Sequence, residues 1–157
     1  MQAFEWQVAE LIAHSGDKIL LDEVLEYNHE ALVARARVKS DSVYLRGGAE
    51  PPWLGLEYMA QAVAAFAGLR RRHEGGEPIV GMLIGTRKYR CNLPQLPVGL
   101  HMTIAVKALL EDNEGLSVFQ CRLQGLADEE SLIAEANLNV YQPQDIDTYL
   151  QTKNKAV

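Results

Sequence analysis

Glu57 is the only charged side chain between Leu54 and Leu69, a stretch in which all residues except Glu57, Tyr58 and Gln61 are apolar or small. Apolar residues fall all round the helix that this run predicts, so burial on most sides is expected. An ionised carboxylate in such surroundings is costly unless hydrogen-bonded, and burial tends to raise its pKa. Carboxyls perturbed in this way mark functional sites. The competing reading is an acid near the first turn that simply answers the helix dipole. Gln61 lies one turn further along the same face, within reach of the carboxylate. The other side chains able to exchange protons near neutral pH are the four histidines, His14, His29, His73 and His101. Cys91 and Cys121 form neither a metal-ligand pattern nor a disulfide framework. Both fall in strand-like runs, where reduced, buried thiols are expected.

The elements that must position these groups follow from periodicity. Trp6 to Ala13 reads as a short amphipathic helix with Val8, Leu11 and Ile12 on one side. Lys18 to Tyr27 reads as a strand entering a turn at Asn28, His29 and Glu30. From Leu32 to Val38, Leu32, Ala34, Ala36 and Val38 alternate with Val33, Arg35 and Arg37, the mark of a half-buried strand. A loop from Lys39 to Pro52 contains Gly47-Gly48 and ends in Pro51-Pro52, which fits just ahead of a helix, where a missing N–H is no loss. The apolar helix then runs into Arg70, Arg71, Arg72 and His73, with Gly75-Gly76 as its stop. Strands are expected over Ile79–Arg90, His101–Leu110, Leu116–Leu123 and Leu132–Tyr141, with hairpin chemistry at Asp112–Gly115. On the fourth of the six expected strands, His101–Leu110, one face would carry Met102, Ile104, Val106, Ala108 and Leu110. One long apolar helix with six strands predicts an α+β domain, an antiparallel sheet wrapped around a central helix. The tail beyond Pro143 is polar and expected to be loosely held.

At 157 residues the chain is expected to be one domain, 1–157, with an ordinary apolar content of 48%. A net charge of −6 argues against general binding to nucleic acid or anionic membranes. No basic segment precedes an apolar run at the N-terminus, so no signal peptide is expected. The run from Leu54 to Leu69 is short for a membrane span of about twenty residues. A reduced, cytoplasmic protein without a membrane span is expected.

Four segments in register resemble the β-hydroxyacyl–acyl-carrier-protein dehydratases of the hot-dog fold, over nearly the whole chain. His14 to Asp22 is similar to their histidine-led opening, and Glu57 to Ala62 resembles the start of their central helix. Gly81 to Gly85 followed by Lys88, Tyr89 and Arg90 resembles the strand after that helix, and Leu96 to Gly99 a later turn. The Pro51 to Gly55 lead-in and the Glu57–Ala62 run look closest to the branch associated with bacterial aryl-polyene clusters. The resemblance implies a homodimer or heterodimer with another hot-dog subunit, sheets joined edge to edge. It also implies an acyl chain delivered on the phosphopantetheine arm of an acyl carrier protein, with no metal and no further cofactor. A helix carboxylate and a histidine would carry out the elimination, with backbone N–H groups facing the thioester oxygen.

Departures from that family are specific. The usual catalytic histidine stands fourteen residues before the helix glutamate, and here that position is Val43. The glycine whose N–H faces the thioester oxygen is replaced by Pro52, which has no N–H. Trp53, Leu54 or Gly55 would then supply that donor, with Gln61 beside the substrate. His14 is the one histidine at a family motif position, read either as the base or as a structural cap of the first helix. The basic residues Arg70, Arg71, Arg72, Arg87, Lys88 and Arg90 carry two readings as well: a docking patch for an acidic carrier protein, or a helix cap plus a solvated strand face. The expected function is dehydration of 3-hydroxyacyl–carrier thioesters to trans-2-enoyl thioesters in a fatty-acid or aryl-polyene type pathway, with Glu57 as acid and His14 as base. The alternatives are a non-catalytic partner subunit, which the absent histidine favours, and thioester hydrolysis on the same fold.

Overall fold

The computed structural model describes residues 6–12, 18–78, 81–127 and 129–142. His14 and the tail from 143 onward lie outside them, as do Ala13, Ile79 and Val80. After a single 3-10 turn at Val8–Glu10 come β1 (Glu23–Tyr27), β2 (Ala31–Arg37) and the two-residue β3 (Ala49–Glu50). A 3-10 turn at Pro52–Leu54 leads into α1 (Gly55–His73). The second half holds β4 (Met82–Cys91), β5 (Leu96–Pro97), β6 (His101–Glu111), β7 (Leu116–Ala127) and β8 (Glu130–Tyr141).

Six strands form one antiparallel sheet in the order β1-β2-β6-β7-β8-β4, and β3 pairs separately with β5. Antiparallel neighbours β6, β7 and β8 follow one another through short turns. The strand after the helix, β4, is carried to the far edge beside β8. The side chains expected to alternate inward do so in β2 and β8: Leu32, Ala34, Ala36, Leu132, Ala134 and Leu138 are all 1% exposed or less. They meet α1, which lies on this face of the sheet. Tyr58, Met59, Ala62, Val63, Ala65, Phe66 and Leu69 of α1 are all 3% exposed or less, so the helix is buried on most sides. Phe66 packs edge-on against Phe119 of β7, with ring centroids 5.6 Å apart, a favoured aromatic geometry.

Several boundaries differ from the expected ones for local reasons. The first helix is only the 3-10 turn, although Val8, Leu11 and Ile12 are buried as expected. The strand expected from Lys18 begins only at Glu23, because the N–H of Leu20 bonds to the Gln61 side chain instead of a neighbouring strand. On β6 the register shifts between Ala108 and Leu110, so Leu110 turns outward and is 58% exposed. β7 continues past Leu123 because its pairing with β8 runs on to Ala127↔Glu130. The end of α1 is as expected: the helix runs through its basic residues to His73 and is followed by Gly75, where φ is +81°.

Gly68 marks where α1 touches the N-terminal turn. A Cβ built there would lie 1.9 Å from the Leu11 carbonyl oxygen, a backbone atom that cannot rotate away. Gly68→Ala gains helix propensity but overpacks this contact, so a net loss of about 1–3 kcal/mol is expected. Urea unfolding with an unchanged m-value checks it; equal or greater stability would mean that the N-terminal turn shifts freely.

Candidate active site

Glu57 stands in the first turn of α1, half-buried, and lines a cavity of about 350 Å³ between the helix and the β4–β8 edge of the sheet. The rise of the helix carries the cavity from Glu57 past Ala60, Ala64 and Ala67 towards Arg70 and Arg71. Gly81, Leu83, Phe119 and Val140 form the facing wall. The wall is apolar for most of its length, and charged groups, Glu57 and the Arg70–Glu111 pair, stand towards its ends.

Gln61 is fully buried and its amide is committed on both sides. Nε2 donates to the Lys18 carbonyl at 2.7 Å and to Glu57 Oε1 at 3.3 Å, while Oε1 accepts from the Leu20 N–H at 2.8 Å. A buried amide so constrained has one orientation available, and it holds the carboxylate against the segment 18–20. The structure therefore brings together Glu57 and Gln61, as their spacing on one helix face suggested.

Trp53, Leu54 and Gly55 form the entry to α1. The N–H of Leu54 bonds to the Pro51 carbonyl and that of Gly55 to the carbonyls of Pro52 and Trp53, so the turn uses both donors. The Leu54 side chain is buried, whereas that of Trp53 is 58% exposed. Tyr89 of β4, noted in the sequence only as part of a strand motif and given no role there, clamps this turn: its hydroxyl donates to the Pro52 carbonyl. A Cβ on Gly55 would lie 2.4 Å from the same hydroxyl, so a larger residue there would displace the tyrosine from the turn. Tyr89 can face inward because β4 bulges between Arg87 and Arg90, with Lys88 at φ +56°. Burial first, then the Cys91 thiol, holds the Tyr89 phenol above its ordinary range.

Val43, at the position of the expected histidine, is 52% exposed. His29 is exposed beside Glu30, and His101 is exposed at the start of β6. His73 stacks on Tyr27, with ring centroids 5.7 Å apart, and meets Trp6 edge-on. None of these three lines the Glu57 cavity.

The six basic residues considered as one docking patch are divided between the two faces of the sheet. Arg70 packs over the Phe66 ring at 4.2 Å, pairs with Glu111 and donates to the His29 carbonyl. Arg71 donates to the Glu77 carbonyl and Arg72 to the Glu10 carbonyl. These arginines hold the helix end to its surroundings. Lys88 and Arg90 instead line a groove of about 660 Å³ on the outer face, with Lys107 and Arg122, while Arg87 is exposed on β4. A single patch spanning both clusters is therefore not formed within one chain.

A second carboxylate escaped the sequence reading. Glu50 is 1% exposed and accepts hydrogen bonds from the hydroxyls of Tyr58 and Ser42, each at 2.6 Å. Burial, then the Glu50 carboxylate and more distantly Asp22, push the Tyr58 phenol well above its ordinary range. A raised native pKa means that above the ordinary phenol value, about 10, the unfolded chain loses a proton that the native protein keeps. The contribution is complete below that pH and declines above it. Urea unfolding between pH 9 and pH 11, values chosen to bracket about 10, should show a steeper loss of stability for the parent chain than for Tyr58→Phe. Parallel curves would remove Tyr58 from the account.

A six-stranded antiparallel sheet folded against one long helix is the hot-dog arrangement. The model of the ApeP-like dehydratases matches residues 6–151, and the chain belongs to that family. Among solved structures it is similar to the dehydratase heterocomplex ApeI:P from Xenorhabdus doucetiae, with a TM-score of 0.84 and 25% identity, covering 95% of this chain and 99% of that one. Two more distant structures share the fold alone. One is a hypothetical thioesterase with coenzyme A from Streptococcus pneumoniae TIGR4, with a TM-score of 0.54, 12% identity and coverage of 76% of this chain and 84% of that one. The other is the E. coli PaaI protein, with a TM-score of 0.55, 10% identity and coverage of 76% and 78%. No curated protein sequence matches the chain. Among the described residues no helix is long and apolar enough to cross a membrane.

Proposed function

We propose that the chain dehydrates 3-hydroxyacyl thioesters, carried on an acyl carrier protein in an aryl-polyene type of pathway, to trans-2-enoyl thioesters and water. The observation that carries the reading is Glu57, half-buried, bonded to the fully buried Gln61 and facing a largely apolar cavity. In the elimination a base takes the α-proton and its electron pair forms the new carbon–carbon double bond. The β-carbon–oxygen bond breaks, and the departing hydroxyl takes a proton from the Glu57 carboxyl to leave as water. The proton held by the base returns to Glu57 through solvent for the next turnover. Negative charge that develops on the thioester oxygen needs a donor, and the Trp53 N–H, which closes no hydrogen bond of the turn, is the one we assign.

His14 is the base in this reading. Gln61 holds Lys18 beside Glu57, and His14 is four residues upstream of Lys18 in the sequence. The acyl chain would follow the cavity along Ala60, Ala64 and Ala67, without a metal or a redox cofactor. The β4 edge, where Leu83 is 47% and Ile84 59% exposed, is the surface for a second hot-dog subunit. Exposed Val43 at the usual base position, together with the likeness to a heterocomplex, supports a second reading in which that partner supplies the base.

Incubation with a 3-hydroxyacyl–carrier protein, alone and with a partner hot-dog subunit, tests the proposal through the ultraviolet absorbance of the enoyl thioester. Absorbance that grows only when this chain is present supports it. No growth in either mixture would end it.

A further inference from the structure

Glu50 is a buried carboxylate outside the Glu57 cavity, and with its two partners, Tyr58 and Ser42, it lines a separate, smaller cavity of about 240 Å³ next to Leu20. Oε1 accepts from the hydroxyl of Tyr58, the residue after Glu57, and Oε2 from the hydroxyl of Ser42, the residue before Val43. Ser42 Oγ in turn accepts from the Tyr44 N–H at 3.2 Å, so the backbone on either side of Val43 is tied to the same carboxylate. The bonds at 2.6 Å are short, as expected for a carboxylate acceptor. The backbone of Glu50 is anchored independently of the helix, through pairing of β3 with β5 at Glu50↔Leu96.

An apolar side chain of similar volume would fill this space without the desolvation of a carboxylate, and such replacements are often neutral or stabilising. What it would not provide is a directed link between two segments. Successive residues of a helix project about 100° apart, so a fixed Tyr58 also fixes the direction of the Glu57 Cα–Cβ bond, and Gln61 then holds the carboxylate. Tyr58 is 1% exposed, and its hydroxyl is held by the Glu50 carboxylate. Gln61 restrains Glu57 from one side, and the Glu50–Tyr58 bond restrains its turn from the other.

We propose that Glu50 is a positioning residue of the site, setting the 39–50 loop against the first turns of α1 so that Glu57 meets the substrate at a fixed angle. The proposal rests on the dehydratase reading and adds to it a residue that never touches the acyl chain.

Glu50→Leu, Glu50→Gln, Tyr58→Phe and Ser42→Ala are compared in the active assembly, by steady-state kinetics and by amide hydrogen exchange. For folded Glu50→Leu, kcat is expected to fall about tenfold or more with KM nearly unchanged, the signature of misplacement rather than lost binding. Glu50→Gln, which still offers an acceptor, should recover most of that loss. The amides of Tyr44 and Leu45 should exchange about tenfold faster, while those of β7 and β8 keep their protection. If Glu50→Leu does not fold, Tyr58→Phe and Ser42→Ala each break one of the two bonds and must show the same pattern. Unchanged kcat and unchanged exchange in folded variants overturn the proposal, and so does faster exchange spread evenly over β7 and β8. No turnover by the unaltered chain in any assembly overturns the dehydratase reading instead; the exchange data alone then decide whether Glu50 locks the loop to the helix.

Discussion

Glu57→Gln is expected to leave the fold intact and to lower dehydration by roughly 100-fold or more, the usual range for removal of a positioned acid. The substitution keeps the size of the side chain and an oxygen that can accept from Gln61 Nε2, so the first turn of α1 should be undisturbed. It removes the proton that the departing hydroxyl needs. Because the lost interaction exists only as the carbon–oxygen bond breaks, kcat and kcat/KM should fall together, with substrate binding retained. Circular dichroism and urea unfolding would confirm the fold, and product formation from a 3-hydroxyacyl–carrier protein would report the loss. Turnover within a factor of two of the parent would remove Glu57 from the chemistry.

His14→Ala carries the second large effect. The described histidines are placed away from the Glu57 cavity, and Val43 has no group that accepts a proton. Gln61 meanwhile fastens the chain just downstream of His14 to the carboxylate. Activity is therefore expected to fall about 100-fold or more without loss of the fold, again the scale of one acid–base group. The comparison that matters is the same variant alone and mixed with a partner hot-dog subunit. Activity retained in the mixture would assign the base to the partner, and this chain would then contribute the acid and the acyl-binding wall.

Regular periodicity made most of the fold legible. Leu32–Val38 and Leu132–Val140 alternate cleanly and form strands with those faces inward, and the run of small and apolar residues after Leu54 is the central helix. Reading failed where side chains or bulges override the local pattern. Leu20 gave its N–H to Gln61, which shortened the first strand, and the shift at Ala108 turned Leu110 outward. The ladder of β3 with β5 is two residues long, between segments far apart in the chain, and has no periodic signature. The same contrast holds at the site. Glu57 and Gln61 are conspicuous because they are polar where everything around them is apolar. Glu50 sits beside a proline pair in a polar loop, where an acid reads as solvated, and only the folded chain buries it against Tyr58. Tyr89 reaches Pro52 only because a bulge at Lys88 changes the phase of β4.

The most direct test of the central claim is the mass of the acyl–carrier product after incubation with this chain in its active assembly. Loss of one water from the 3-hydroxyacyl group, with the thioester intact and the change suppressed by Glu57→Gln, is the predicted result. Release of a free 3-hydroxy acid with its hydroxyl retained would make the chain a thioesterase, and an unaltered substrate under every pairing would contradict the account altogether.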